Sequence, residues 1–271
     1  MPELPEVETS RAGIAPYVLG KTIKNVIIRE RRLRWSIPRQ LKTRLVGTKI
    51  HTLSRRGKYL IFKTGKGHMI MHLGMSGSLR IITSHIPPEK HDHVDFVFEP
   101  NTSLRFRDPR RFGCVLWTET DPLQHKLLVN LGPEPLNDEF DGEYLFRKSR
   151  KRTQTVKTFI MDSRIVVGVG NIYANEALFA AGIRPDRKAG NISRDRYDKL
   201  AGTIKDVLRK ALIMGGTTLR DFVNGEGNPG YFRHALQVYD RADKPCLICN
   251  TLLKVQRIGQ RSTFFCQSCQ R

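Results

Sequence analysis

Residues 246–269, near the C-terminus, are CLICNTLLKVQRIGQRSTFFCQSC. This stretch holds two Cys-x2-Cys pairs with sixteen residues between them: Cys246, Cys249, Cys266 and Cys269. Each pair can present two thiolates to one tetrahedral ion, so the spacing predicts a single structural zinc bound by the four cysteines. An iron–sulfur cluster is the alternative for four thiolates, and the separation into two pairs makes it the weaker interpretation.

Between the two cysteine pairs, the pattern predicts a β-hairpin. Leu252–Ile258 and Ser262–Phe265 resemble strands, and Gly259-Gln260 between them is typical of a tight turn. The hairpin would place Arg261 at its tip. An arginine at a hairpin tip is most often only solvated, so the pattern by itself leaves the function of Arg261 open.

The composition indicates a polyanionic partner. The 271 residues include 47 Lys and Arg against 26 Asp and Glu, which gives a formal net charge of +21. Basic residues occur throughout the chain, with dense runs at Arg29–Arg34 and Arg147–Arg152, as expected of a folded basic surface. We therefore expect nucleic-acid binding, although a basic run alone is also compatible with a solvated face or a ribosome contact.

The cysteine usage and the absence of long apolar stretches predict a cytoplasmic protein. The N-terminus has no apolar signal core, and no stretch approaches the roughly 18 apolar residues of a membrane span. Cys114, the fifth cysteine, lies in an apolar run and is predicted to be buried. One isolated and four clustered cysteines favour a metal site over a disulfide framework.

Chain length and residue pattern predict two domains and a small appended module. The N-terminal part shows short β-branched or alternating runs separated by turn residues, preceded by a helix from Pro5 to Tyr17. Helical periodicity follows, and it is strongest over Ser193–Met214. The predicted boundaries are 1–120 for a β-sandwich domain, 121–155 for an interdomain connection, 156–236 for a helical domain and 237–271 for the zinc module.

The N-terminal sequence Met-Pro-Glu contains a potential nucleophile. Methionine before a small residue is normally removed, which would leave Pro2 as a free secondary amine. Attack of this amine on a sugar C1′ gives an iminium that cannot lose a proton to become a neutral imine, so it stays a strong electron sink. A free α-amino group titrates at about 7.7–8.0, and Glu3 could supply the proton that opens the sugar ring. From these residues alone, the preferred interpretation is that Pro2 and Pro5 only shape a frayed N-terminus.

Two further motifs are weak on their own. Gly168-Val169-Gly170-Asn171 precedes a predicted helix, where free amide groups can close around a phosphate. Lys90-His91-Asp92-His93 resembles a metal-binding cluster. One short segment cannot surround an ion, so phosphate contact or strand packing is the preferred interpretation of the second motif.

Seven motifs in this order resemble the formamidopyrimidine-DNA glycosylase family, and the match extends from Pro2 to Cys269. Besides the cysteine pairs, they are Pro2–Glu8 (PELPEVE), Arg56–Leu60 (RGKYL), His72–Gly77 (HLGMSG), Lys90–Asp95 (KHDHVD), Asp108–Gly113 (DPRRFG) and Val167–Glu176 (VGVGNIYANE). The resemblance implies a multidomain α+β fold: an N-terminal β-sandwich with a flanking helix, a helix–two-turns–helix domain and a C-terminal β-hairpin zinc finger.

The resemblance also implies an activity. The enzyme would flip an oxidised purine, such as 8-oxoguanine or a formamidopyrimidine, out of duplex DNA, excise it and cleave the strand by β- and δ-elimination. Pro2 would be the Schiff-base nucleophile and Glu3 the proton donor to the sugar. Lys58 would contact a phosphate and act as acid in β-elimination, with Arg261 as its counterpart in δ-elimination.

Three side chains resemble those that fill the space left by the flipped base: Met75, Arg110 and Phe112. Arg110 would face the orphaned cytosine, and Phe112 would wedge beside it. The other implied DNA contacts are His91, Arg152, Lys157 and Asn171. The expected partner is damaged double-stranded DNA in the bacterial cytoplasm and nucleoid, and the expected form is a monomer with no obligate protein partner and no membrane contact.

The sequence departs from the family pattern at Asp240, where glycine is usual, at Thr158, where proline is common, and at Asn228, where lysine is frequent. Asn228 lies in Val223–Arg233, a segment that resembles the loop enclosing the lesion base. Two alternatives stay open. An endonuclease VIII-type enzyme would use the same proline chemistry on oxidised pyrimidines, and a non-catalytic zinc-finger DNA-binding protein would leave the Pro2-Glu3 motif unexplained.

Overall fold

The computed structural model describes residues 2–83, 86–98, 101–216 and 232–271. They divide into two compact units, which we name the sandwich unit (the described part of 2–129, with 214–216) and the finger unit (Asn130–Ile213 and Phe232–Arg271). Residues Thr218–Val223, for which the sequence pattern also predicts a helix, lie outside the described residues, as does nearly all of the segment Val223–Arg233, including Asn228. Within the described ranges, no helix is long and apolar enough to cross a membrane.

The sandwich unit is built from two antiparallel sheets and a long N-terminal helix. Its helices and strands are α1 (Leu4–Val18), β1 (Asn25–Ile28), α2 (Leu41–Leu45), β2 (Ile50–Arg56), β3 (Tyr59–Thr64), β4 (Gly67–His72), β5 (Ser78–Thr83), β6 (Asp92–Phe98), β7 (Thr102–Arg107) and β8 (Cys114–Thr118). The strand orders are β1-β6-β7-β5 in one sheet and β2-β3-β4-β8 in the other.

A single apolar core joins the two sheets and α1. Phe62 from one sheet and Phe96 and Phe106 from the other are fully buried in it, together with Ile14 of α1. Burial of each such side chain stabilises the fold by roughly 1.5–3 kcal/mol, so the apolar positions of the alternating strands fix which face of each sheet turns inward. Cys114 is buried at the start of β8, as predicted.

The finger unit is mainly helical and ends in a hairpin. Its elements are α3 (Gly142–Ser149), α4 (Val156–Ile160), α5 (Asn171–Ala181), α6 (Arg194–Ile213), β9 (Lys254–Ile258) and β10 (Arg261–Phe265). In α6 the predicted apolar stripe is buried, from Tyr197 through Leu200 and Ile204 to Leu208. Gly259 and Gln260 form the hairpin turn with φ of 54° and 62°, which a tight turn of this kind requires.

Four elements are absent from the sequence prediction: α2, β2, β8 and α3. In β2 only Ile50 and Leu53 are buried, so the strand lacks the apolar alternation that would have marked it. Helix α3 lies inside the segment predicted as a connection. The Asp141 carboxylate caps it by accepting a hydrogen bond from the Tyr144 N–H at 2.7 Å, and Leu145 is fully buried. The helix has only eight residues, and its last turn carries Arg147 and Lys148 of the basic run that made this segment resemble a connection.

Candidate active site and nucleic-acid interface

The four cysteines of the finger unit converge as a tetrahedral site requires. All four sulfur atoms lie within 4.8 Å of one another, with 3.4 Å between Cys249 and Cys266 and 3.9 Å between Cys246 and Cys269. Zinc–sulfur bonds of about 2.3 Å give a sulfur–sulfur separation of about 3.8 Å in a tetrahedron. The donor set and its dimensions therefore fit one structural zinc. Elsewhere in the described ranges, no other cluster of His, Cys, Asp and Glu has metal-binding geometry.

Strand β10 is held to the helices of the finger unit by buried polar side chains. The Lys157 ammonium donates to Thr263 Oγ1 at 2.7 Å and to the Ser262 carbonyl at 3.1 Å. Asn171 Nδ2 donates to the same Ser262 carbonyl at 3.1 Å, and Asn175 Oδ1 accepts from the Phe264 N–H at 2.9 Å. These bonds fix the strand that begins with the predicted catalytic Arg261.

Of the predicted site residues in the finger unit, Arg261 and Arg152 are exposed. Lys157 is fully buried, so its ammonium serves contacts inside the protein. Asn171 is half-buried at the first position of α5, and its Oδ1 is buried without a hydrogen-bond partner among the residues that the structure describes. Thr158 lies close to the hairpin turn, since a Cβ at Gly259 would approach its methyl group to 2.9 Å.

Glu176 has a structural role that the sequence pattern does not predict. This buried carboxylate of α5 accepts three backbone N–H bonds, from Gln237 and Tyr239 at 2.8 Å and from Val238 at 3.0 Å. Burial raises the pKa of Glu176, and the three N–H donors oppose that change. The carboxylate clamps the chain where it enters the zinc finger. In the sequence, the signal for Glu176 was its position at the end of the motif Val167–Glu176.

Asp240 follows this clamp with a backbone φ of 60°. Glycine adopts this left-handed conformation without steric cost, whereas most other residues do not. The geometry therefore explains why glycine is usual at this position in the family that the sequence resembles. Aspartate is among the residues that tolerate the conformation best.

In the sandwich unit, Pro2 and Glu3 are both buried at the start of α1. The Glu3 side chain accepts a hydrogen bond from the Glu6 N–H, and the Glu6 carboxylate accepts one from the Glu3 N–H at 2.8 Å. This reciprocal capping box satisfies two backbone donors and fixes the direction in which the chain enters the helix. The first residues are therefore anchored, which weakens the interpretation of a frayed N-terminus.

A chain of polar contacts connects α1 to the turn that carries Lys58. Glu8 Oε2 accepts from Arg55 Nε at 2.9 Å, and Arg55 Nη1 donates to the Gly57 carbonyl at 3.0 Å. Lys58 follows directly, between β2 and β3. Burial acts to raise the pKa of Glu8, but the hydrogen bonds from Arg11 and Arg55 outweigh it and lower the pKa. The carboxylate therefore stays ionised at neutral pH. The Lys58 turn is thereby fixed to the helix that begins after Pro2 and Glu3.

His72 lies beside this turn. The sequence predicts no role for it, although it is the first residue of the motif His72–Gly77. Its ring lies 4.7 Å from that of Tyr59, and its Nδ1 accepts a hydrogen bond from the Gly74 N–H at 2.9 Å. Burial, together with the positive charges of Lys58 and Arg34, lowers the pKa of His72 to about 4. At neutral pH the ring is therefore uncharged and carries its proton on Nε2.

The three predicted void-filling residues lie on two adjacent loops of the sandwich unit. Met75 is half-buried, whereas Arg110 and Phe112 are exposed. Arg110 Nη2 donates to the Met75 carbonyl at 2.8 Å. The loops approach backbone to backbone, because a Cβ at Gly74, whose φ is 66°, would lie only 2.4 Å from the Gly113 nitrogen. The structure thus brings these three residues together.

His91, the remaining predicted contact, lies in a turn of the same unit. Its φ is 78°, and its carbonyl accepts a hydrogen bond from the Asp108 N–H at 3.1 Å. Desolvation and the nearby charges of Lys90 and Arg107 lower the pKa of His91. His93 Nε2 is bonded to the Asp108 carbonyl at 2.8 Å, so the second histidine of the segment serves packing.

The whole chain is similar to known proteins of one kind. It matches the family models described as "Formamidopyrimidine-DNA glycosylase N-terminal domain" over residues 1–115, "Formamidopyrimidine-DNA glycosylase H2TH domain" over 131–223 and "Zinc finger found in FPG and IleRS" over 243–271. Curated formamidopyrimidine-DNA glycosylases of Pseudomonas putida (strain W619) and Marinobacter nauticus are 57% and 58% identical to it over 271 residues, covering 100% of both chains.

Solved structures give the same result for the fold. A mutant Lactococcus lactis Fpg in complex with DNA containing Fapy-dG superimposes with a TM-score of 0.93 at 34% identity, covering 100% of both chains. The MutM (Fpg) protein of Thermus thermophilus gives a TM-score of 0.89 at 36% identity, covering 99% of this chain and 98% of the other. The predicted multidomain α+β architecture, with its zinc-binding hairpin, is confirmed.

Proposed function

Because the chain belongs to the formamidopyrimidine-DNA glycosylase family, and is therefore a zinc-binding DNA glycosylase and AP lyase that repairs oxidised purines, we propose that Pro2 is its nucleophile and Glu3 its proton donor. The observation that carries this assignment is the burial of Pro2 and of Glu3, which caps α1, with Glu8 and Arg55 linking that helix to the Lys58 turn. Fixed geometry of this kind lowers the entropic cost of attack.

The proposed reaction begins when the lone pair of the Pro2 nitrogen forms a bond to C1′ of the flipped nucleotide. The glycosidic bond breaks, and its electron pair leaves with the purine, which takes up a proton, while the Pro2 nitrogen loses the proton that it carried as a secondary amine. Glu3 donates a proton to the ring oxygen O4′ as the C1′–O4′ bond opens. The product is a cationic iminium between Pro2 and C1′, which makes the C2′ hydrogens acidic.

Strand cleavage follows from this iminium. Loss of a C2′ proton is accompanied by cleavage of the C3′–O bond, so the 3′ phosphate leaves with the electron pair. Lys58 donates a proton in this β-elimination and binds the phosphate. A second elimination removes the C4′ proton and breaks the C5′–O bond with help from Arg261, so the 5′ phosphate leaves with the electron pair. Hydrolysis of the remaining iminium restores the Pro2 amine.

The DNA contacts are assigned by the same reasoning. Met75, Arg110 and Phe112 fill the space left by the flipped base, with Arg110 directed at the orphaned cytosine. His91, Arg152 and Asn171 bind backbone phosphates. Lys157 supports binding from inside the finger unit, because its buried ammonium holds the strand that begins with Arg261.

The partner is damaged double-stranded DNA. Solved structures of Lactococcus lactis Fpg are complexes with DNA containing N7-benzyl-Fapy-dG and with DNA containing an abasic site. The net charge of +21 suits this polyanion. We further propose that the enzyme acts as a monomer in the bacterial cytoplasm, associated with the nucleoid. The full-length relatives favour a purine glycosylase over the pyrimidine-specific and binding-only alternatives.

Borohydride trapping tests the nucleophile directly. Purified protein is incubated with a duplex containing one 8-oxoguanine opposite cytosine, and in parallel with an oxidised-pyrimidine duplex, in the presence of borohydride. We expect a covalent adduct that mass analysis of the N-terminal peptide maps to Pro2, formed faster on the purine lesion. An adduct on any lysine, or tight binding with no adduct on either duplex, would contradict the assignment.

Replacing Arg261 with alanine is expected to separate the two eliminations. Base excision and β-elimination should stay within about threefold of the wild-type rates, while δ-elimination should slow by about 100-fold, the cost typical of losing one charge-stabilising donor. Gel analysis distinguishes the two 3′ ends. Arg257→Ala is the matched control, an exposed arginine of β9 on the same hairpin. Equal slowing of both eliminations would argue against a separate role for Arg261.

A further inference from the structure

A buried serine–aspartate pair lies beneath the two loops that carry the proposed void-filling residues. Asp108 is fully buried at the end of β7, and Ser76 is 4% exposed in the loop before β5. Ser76 Oγ donates to Asp108 Oδ1 at 2.8 Å. The mechanism described above uses neither residue.

The pair binds both loops from below. Asp108 Oδ2 accepts a hydrogen bond from the Gly113 N–H at 2.7 Å, directly after Phe112. Ser76 Oγ, directly after Met75, accepts a hydrogen bond from the Arg110 N–H at 3.1 Å. Arg110 is thus bonded directly to Ser76. Met75 immediately precedes Ser76, and Phe112 immediately precedes Gly113, which is bonded to Asp108.

The backbone of Asp108 extends the same arrangement to a third segment. Its N–H donates to the His91 carbonyl at 3.1 Å, and its carbonyl oxygen is bonded to His93 Nε2 at 2.8 Å. The same carbonyl accepts the Arg111 N–H at 3.1 Å, which closes the turn around Arg110. One residue therefore connects three segments that carry proposed DNA contacts.

We propose that Ser76 and Asp108 are positioning residues that hold Met75, Arg110 and Phe112 at one spacing, and thereby set how strongly the enzyme discriminates between cytosine and other bases opposite the lesion. This inference rests on the void-filling roles proposed above. An arginine can discriminate between opposite bases only if its guanidinium is held in a fixed position. An exposed loop holds a side chain in this way only when buried hydrogen bonds anchor its backbone.

The experiment compares single-turnover excision of 8-oxoguanine opposite cytosine and opposite adenine by the full-length, zinc-loaded protein. Because the ratio of the two rates does not depend on the fraction of active protein, a purely structural defect leaves it unchanged. In Ser76→Ala the ratio should fall about tenfold, mainly through slower excision opposite cytosine, as expected for loss of one buried hydrogen bond to a carboxylate.

Three further variants make the result specific. Ser76→Ala/Asp108→Asn should lose less discrimination than the sum of the two single variants, because both disrupt one connected hydrogen-bond network. If Asp108→Asn does not fold, the ratio measured for Ser76→Ala tests the proposal by itself. Thr48→Val is the matched control, since it removes a buried hydroxyl bonded at 2.7 Å to the Leu45 carbonyl in the same unit, and it should keep the wild-type ratio.

Arg110→Ala separates this inference from the proposed function. If Arg110→Ala loses discrimination and Ser76→Ala keeps it, the positioning role is wrong and the role of Arg110 stands. If Arg110→Ala itself keeps the wild-type ratio, the void-filling assignment fails and the positioning role fails with it. Loss of discrimination in both variants, with Thr48→Val unchanged, supports the inference.

Discussion

Replacing Pro2 with glycine is expected to slow base excision and strand cleavage by about 1,000-fold, which corresponds to about 4 kcal/mol of transition-state stabilisation. Glycine keeps an α-amino group, but that amine is primary. Its imine can lose a proton and become neutral, so the electron sink that drives elimination is no longer obligatory. The missing ring also leaves space in a buried site and lets the amine adopt several positions.

The measurement is single-turnover cleavage of the 8-oxoguanine duplex, with borohydride trapping on the same samples. Intact mass must first establish that the initiating methionine has been removed from both proteins. Pro16→Ala is the control, because Pro16 lies on the exposed side of the same helix, and its rates should stay within about twofold of wild type. Full strand cleavage by Pro2→Gly would refute the assigned nucleophile.

Loss of the zinc is expected to abolish high-affinity DNA binding while leaving the sandwich unit folded. Cys266→Ser removes one of four ligands, and the free energy of metal binding is folding free energy for so small a hairpin. The apolar cluster of Val238, Leu253 and Phe264 cannot hold the finger by itself, so Arg261 loses its position. We expect affinity for the lesion duplex to fall by at least about 100-fold.

The two tryptophans make this prediction measurable. Trp35 and Trp117 both lie in the sandwich unit, so the unfolding transition seen by tryptophan fluorescence should be nearly unchanged. Zinc content is determined on the same sample. Cys114→Ala, which alters the one cysteine outside the cluster, should keep one zinc per chain and the wild-type affinity. Unchanged DNA binding after proven zinc removal would sink the prediction.

The features that sequence predicted best are those encoded by local spacing. The Cys-x2-Cys pairs, the Gly259-Gln260 turn and the apolar stripe of α6 each follow from residues close together in the chain, and the structure confirms all three. The proposed roles of Pro2 and Glu3 came from resemblance. The structure adds their burial and the helix cap that fixes them, which no local pattern shows.

The features that sequence missed depend on long-range pairing. Lys157 is a basic residue in a basic protein, and only the fold shows that its ammonium is enclosed by β10. The same is true of Glu176, whose three N–H donors lie about sixty positions further along the chain. Ser76 and Asp108 are 32 positions apart, and each lies in a motif beside residues for which the sequence predicts DNA contacts.

The burial of Pro2 also decides how the protein should be purified. A peptide fused before Pro2 would acylate its amine and would have to leave through the enclosed start of α1, so an amino-terminal affinity tag should yield folded but catalytically silent protein. The other end is permissive. Arg271 is exposed, its N–H donates to the Gly182 carbonyl at 3.0 Å, and its carbonyl accepts from the Arg184 N–H at 3.2 Å. A tag joined after Arg271 preserves both bonds and leaves the amine of Pro2, the proposed nucleophile, free.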